Sequence, residues 1–133
     1  MSAPTLPALV MVERAYRGAV ESQFADVLYI VRELNRQLGG VHLAFRGQAV
    51  TYAVEAPGHE PVLTLGSRTI DTLPDPRRSV RTLLDEGVSV WAEQADVDRL
   101  GASLPDRLIP GVRTLRPGEL AASWPTYTQV WFM

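Results

Sequence analysis

The sequence contains no cysteine and no lysine. The first absence excludes disulfides, thiolate nucleophiles and cysteine-ligated metal centres. The second means that all 13 basic residues are arginine, so no Schiff-base mechanism is open to the chain. Charge of one sign never accumulates: the net charge is −2 and the arginines are dispersed, which argues against a nucleic-acid or anionic-membrane partner. No apolar stretch approaches the roughly 20 residues of a membrane span, and Met1–Pro7 has neither a basic start nor a long apolar segment of a signal peptide, so a cytoplasmic location is expected. There are only two histidines, His42 in an apolar run and His59 in a Pro/Gly-bounded loop. This is no metal-binding pattern, and no metal or cofactor is expected. Glycine-rich phosphate loops are missing too, since Gly39-Gly40 precedes an apolar run of strand length rather than opening a helix.

What remains is a chain with 46% hydrophobic and 21% charged residues, enough apolar mass for a core. Its 133 residues fit one domain, 1–133. Ala8–Val12 is an uninterrupted apolar run, the mark of a strand covered on both faces. Phe24, Val27, Leu28, Val31, Leu34 and Leu38 then recur at helical spacing until Gly39-Gly40 stops them. Val41–Phe45 reads as a second strand, giving a β-α-β unit. The signal weakens from Gln48 to Leu73: Ala49–Val54 fits a strand or a short helix, Pro57-Gly58 a turn, and Val62–Leu65 a short strand. Asp75-Pro76 opens a helix that Gly87 ends. Val88–Ala92 reads as the third strand and Ala95–Leu100 as a short helix. Val112–Leu115 reads as a strand, Pro117 starts a helical turn, and Thr128–Met133 is a terminal strand. Such alternation predicts a three-layer α/β/α sandwich with a mostly parallel sheet of about five strands.

The order of elements, together with the string from Gly87-Val88-Ser89-Val90-Trp91 through Glu93 to Arg99-Leu100-Gly101, resembles the DsrE/DsrF-like family. Leu108–Val112, the Glu119-Leu120-Ala121 helix and the closing Gln129–Met133 strand are similar to that family's C-terminal half. The resemblance implies the fold, a cytoplasmic location and homo-oligomerisation. It also places the family's functional cysteine at Glu93, or one residue earlier at Ala92. Neither residue can carry a persulfide, so the sulfur transfer typical of the family is not expected here.

In open α/β sheets ligands bind beyond the carboxyl ends of the strands. That rule gathers Glu13, Arg14, Tyr16 and Arg17 after the first strand, Arg46 and Gln48 after the second, and Glu93 and Gln94 after the third. Glu93 is the candidate catalytic residue. Glu13, Arg14, Tyr16, Arg46, Gln48, Gln94 and Arg99 are the candidate ligand-binding residues. The competing structural readings are specific: Glu93 as a loop acid favoured by a helix dipole, and Arg99 as the partner of Asp96 or Asp98. His42 reads as a satisfied core histidine, and Arg77, Arg81 and Asp85 as a solvated helix ladder. Three functions fit: a non-sulfur-transferring binder of a small polar or anionic ligand or a protein partner, a small-metabolite enzyme using Glu93 as general acid or base, and a structural subunit supporting an active paralogue.

Overall fold

The structure is a computed structural model, and it describes residues 6–15, 26–55, 62–73, 75–101 and 107–133. Strand β1 is Leu6–Val12, helix α1 Val27–Leu38, β2 His42–Phe45, and a 3₁₀ helix follows at Gly47–Ala53. Then come β3 (Leu63–Leu65), β4 (Arg68–Ile70), α2 (Pro76–Asp85), β5 (Ser89–Glu93) and α3 (Gln94–Leu100). The chain finishes with β6 (Arg113–Leu115), α4 (Glu119–Ser123), a 3₁₀ turn at Trp124–Thr126, and β7 (Tyr127–Phe132).

The main sheet has five strands in the order β6-β5-β2-β1-β7, and every pair in it is parallel. Alternation of side chains sorts the core into two layers. Ala8, Val10 and Val12 of β1, Leu43 and Phe45 of β2, and Val90 and Ala92 of β5 share one cluster with Leu28 and Val31 of α1 and Val80 and Leu83 of α2. The same cluster takes in Ala49, Val50 and Ala53 of the 3₁₀ helix and Val97 of α3. The opposite face is thinner: Leu9, Met11 and Ala44 meet Leu115, Tyr127 and Leu120 of α4. The predicted three layers are present, unequal in thickness.

Local chemistry sets the boundaries. Asp26 caps α1 by accepting from the backbone N–H groups of Leu28 and Tyr29, and Gly39, at φ 78°, ends the helix in the left-handed conformation that a side chain disfavours. Asp75 caps α2 through the Arg77 N–H, with Pro76 at the first helical position as its missing donor allows. Arg32 of α1 joins the end of α2 through a 2.6 Å contact to Glu86. His42 is half-buried: its Nδ1 lies 2.8 Å from the Tyr127 hydroxyl, and its ring stands edge-on to Trp91 at 4.9 Å. Burial lowers the histidine pKa and pushes the tyrosine up to about 12, which suits a neutral packed pair.

Two open readings are decided. The segment after β2 takes the helical alternative, as a 3₁₀ helix over Gly47–Ala53, and the short strand expected at Val62–Leu65 is β3, which pairs antiparallel with β4 in a hairpin outside the main sheet. The Arg77–Arg81 face is not a solvated ladder. Arg77 Nε donates to the Val54 carbonyl at 2.8 Å, and Arg81 pairs with Glu55, so both reach across to hold the end of the 3₁₀ helix. Arg77 meets the carbonyl of Val54, which caps the 3₁₀ helix, and Arg81 takes the acid of the adjoining Glu55 rather than Asp85 of its own helix.

Candidate functional site

The register aligns three strand ends. Val12 pairs with Phe45 and Phe45 with Ala92, so Glu13, Arg46 and Glu93 are the next residues at one level at the carboxyl end of the sheet, where Glu93 closes β5 opposite Leu115 of β6. Parallel strands make this convergence automatic, because all carboxyl ends share one edge of the core. Glu13, Arg14, Arg46, Gly47, Glu93, Ala95, Asp96 and Arg99 line an open cleft there of about 560 Å³.

Its floor is built by Asp96, whose side chain is only 16% exposed. One oxygen accepts from the Gly47 backbone N–H at 2.8 Å and the other meets Arg99 at 2.9 Å. This ties the first turn of α3 to the start of the 3₁₀ helix. Gly47 sits at φ 60°, where an added Cβ would come within 3.4 Å of the Glu13 carbonyl, so the close approach needs glycine. Glu13 and Arg46 form a 2.9 Å pair across the β1 and β2 ends, both over two-fifths exposed; such a pair contributes little stability and mainly orients the two side chains.

Glu93 differs from these. It precedes α3 at the cap position without making a cap bond, and no hydrogen bond or ion pair holds its carboxyl among the described residues. Burial raises its pKa above the ordinary value, and the charges of Asp96 and Glu119 add to that while Arg46 opposes it. Arg14 is likewise exposed and has no ion-pair partner among the described residues. Among the described residues the cleft therefore offers one unengaged acid and one unengaged guanidinium beside two internally paired sets.

Of the candidate residues, Glu13, Arg14, Arg46, Glu93 and Arg99 meet in the cleft. Two do not. Gln48 is an exposed residue of the 3₁₀ helix that does not line the cleft, and Gln94 donates to Asp98 at 2.7 Å within α3. Tyr16 and Arg17 lie outside the described residues, as does His59. Asp96 and Gly47 are the additions: Asp96 had figured only as a partner for Arg99, and no pattern in the sequence joins two residues 49 apart. No group of three or more acids or histidines among the described residues could hold a metal ion. No described helix is long and apolar enough to cross a membrane.

Removing the floor tests its role. Asp96→Ala leaves the Gly47 N–H without its acceptor, and a loss of about 1–3 kcal/mol is expected in urea denaturation. Asp96→Asn, which keeps an acceptor oxygen, should lose less. It should also let the Glu93 pKa, followed by NMR titration, fall toward the ordinary carboxylate value. Equal stability for wild type and Asp96→Ala would show that the link holds nothing in place.

No family model and no curated protein matches the chain. Solved structures do. The ychN protein from E. coli superposes with a TM-score of 0.71 at 22% identity, covering 96% of this chain and 99% of that one. MTH1491 from Methanobacterium thermoautotrophicum, a protein of unknown function, superposes with a TM-score of 0.61 at 15% identity, covering 93% and 98%. Both are proteins of the DsrE/DsrF-like fold, and the five-stranded parallel α/β architecture of this cysteine-free chain is that fold.

Proposed function

We propose that this protein is a cysteine-free, non-sulfur-transferring DsrE-like binder that takes a small polar or anionic molecule in the cleft at the β1, β2 and β5 carboxyl ends, working as a cytoplasmic homo-oligomer. The observation that carries the reading is the pairing state of the cleft: among the described residues Glu13–Arg46 and Asp96–Arg99 satisfy each other, leaving the Glu93 carboxyl and the Arg14 guanidinium for a visitor. An anionic group fits against Arg14, and a hydroxyl or amino donor against Glu93. The cleft is open rather than closed over a dry carboxyl, which favours binding over catalysis. The raised proton affinity of Glu93 supports a second reading, a general acid or base acting on a small metabolite.

Glu93→Gln separates site from scaffold. Ionised Glu93 costs stability because its folded pKa lies above the ordinary 4.5. That cost is absent at pH below 4.5 and grows as pH rises through the raised value. The glutamine variant should therefore melt at the same temperature as wild type or slightly higher at pH 7, with the difference vanishing in acid. Thermal-shift titrations with phosphate, acetate and glycine should meanwhile show wild-type stabilisation by at least one probe that Glu93→Gln and Arg14→Gln weaken about tenfold or more, as expected when a charge-assisted bond is lost. Identical titrations for all three proteins would remove the cleft from consideration. A large drop in melting temperature with binding retained would make Glu93 a structural residue.

A further inference from the structure

Among the described residues the outer edge of β7 is an open row of hydrogen-bonding groups with none of the features that usually protect one. Edge strands are kept from pairing by charge, proline, bulges or brevity. The opposite edge, β6, has only three residues and carries the exposed Arg113. β7 has six, Tyr-Thr-Gln-Val-Trp-Phe, without a charge or a proline. At its end Trp131 and Phe132 are 42% and 60% exposed, and Phe132 is held edge-on to Trp124 with the rings 5.9 Å apart.

The bonds at Met133 settle which groups point outward. Met133 donates to Met11 and accepts from Glu13, so its backbone faces β1. Backbone polar groups alternate along a strand, so Trp131 and Gln129 also face β1, while Phe132, Val130 and Thr128 present N–H and C=O to the free side. Any strand docking there must be extended and must meet these three residues.

We propose that the strand that docks there is β7 of a second copy, running antiparallel about a two-fold axis through Val130. This rests on the homo-oligomer reading and names the surface that would make it. In that register Val130 opposes its own copy, Thr128 opposes Phe132, and Gln129 opposes Trp131, so all three outward-facing residues are bonded on both chains. Centring on Thr128 would leave Phe132 without an opposite strand residue, and centring on Phe132 would carry Val130 past the end of β7. The strand is uncharged, so a copy meets no like charge, and each exposed aromatic lies over a short polar or amide side chain of its opposite. The Gln129 side chain already accepts from the Trp131 indole within one chain at 3.0 Å, a bond the two copies can exchange across the axis. The result is one continuous sheet through both protomers.

The test uses the full chain in sedimentation velocity at tens of micromolar, where wild type is expected at twice the protomer mass or an even multiple of it. Val130→Pro removes an outward N–H while leaving every bond to β1, and proline is tolerated at such positions. It should fold with the wild-type circular dichroism and weaken self-association about tenfold or more, through two lost bonds at the axis. A second probe does not depend on that variant folding. In this cysteine-free chain, the double variant Gln129→Cys/Trp131→Cys places two thiols at facing positions with Cα atoms about 4.5 Å apart, within disulfide reach. It should oxidise to a reducible dimer, whereas Gln129→Cys alone should not. A wild-type monomer would overturn both this proposal and the oligomer reading. An oligomer that survives Val130→Pro and fails to cross-link in the double variant would leave the oligomer standing and overturn this edge. Efficient linking by Gln129→Cys alone would overturn the register.

Discussion

Deleting Gln129–Met133 is expected to abolish soluble, cooperatively melting protein. The reason is not burial of the terminal aromatics, because Trp131 and Phe132 are exposed. It lies in what β7 does for β1. Ala8 to Met11 pair with Gln129 to Phe132, Met133 extends the ladder to Glu13, and Val130 and Met133 pack against the two core clusters. Without them Leu9, Val10 and Met11, all fully buried, form an apolar open edge, the arrangement that templates aggregation. The lost packing alone is comparable with the 5–15 kcal/mol that holds a small domain together. Expression followed by a soluble-fraction assay and calorimetry checks this. A truncated chain that melts cooperatively near the wild-type temperature would mean that β1 is stable as an edge.

Phe45→Ala should be the most damaging single substitution in the sheet. Phe45 is fully buried, heads the fully buried side chains in volume, and is flanked by Val12 and Ala92 in the last paired row beneath the cleft. Its ring meets Tyr52 of the 3₁₀ helix edge-on at 6.1 Å. Truncating a buried phenylalanine costs about 3–5 kcal/mol, of which part reflects the cavity left behind. For a domain of this size the melting temperature should fall by about 10 °C or more. The cavity opens under the residues that carry Arg46 and Gly47, so weakened probe binding should accompany the loss. Phe45→Leu should recover most of the stability in urea titrations. A change below about 1 kcal/mol for the alanine variant would contradict the packing described here.

The sheet was legible because its strands are continuous apolar runs. A segment such as Ala8–Val12, all of it buried, has no amphipathic alternative, and Gly39 and Asp75 punctuate the helices by local chemistry. The short helix and short strand between Gly47 and Leu65 were legible only as alternatives or fragments, for two reasons. The 3₁₀ helix is held by groups distant in sequence, Arg77 on the Val54 carbonyl and Asp96 on the Gly47 amide, which no local pattern encodes. The β3–β4 hairpin consists of two three-residue strands, too short to set up alternation. The convergence of Glu13, Arg46 and Glu93 followed from the strand-end rule alone. The rule places residues but not side-chain directions, so it also gathered Gln48 and Gln94, which do not line the cleft.

The neighbours β1 and β7 bring together Leu6 and Tyr127, near opposite ends of the described chain. Of the five strands of the sheet, β1 leaves the ribosome first during synthesis, and β7, one of the two that flank it, leaves last. Until residues beyond Tyr127 emerge, β1 can be flanked on one side only, and no shorter nascent chain contains the complete sheet. Contacts this distant in sequence slow folding, because the loop must close before the pairing can stabilise it. The nascent chain should therefore depend on chaperone shielding of Leu6–Val12 in proportion to how slowly its last residues are translated.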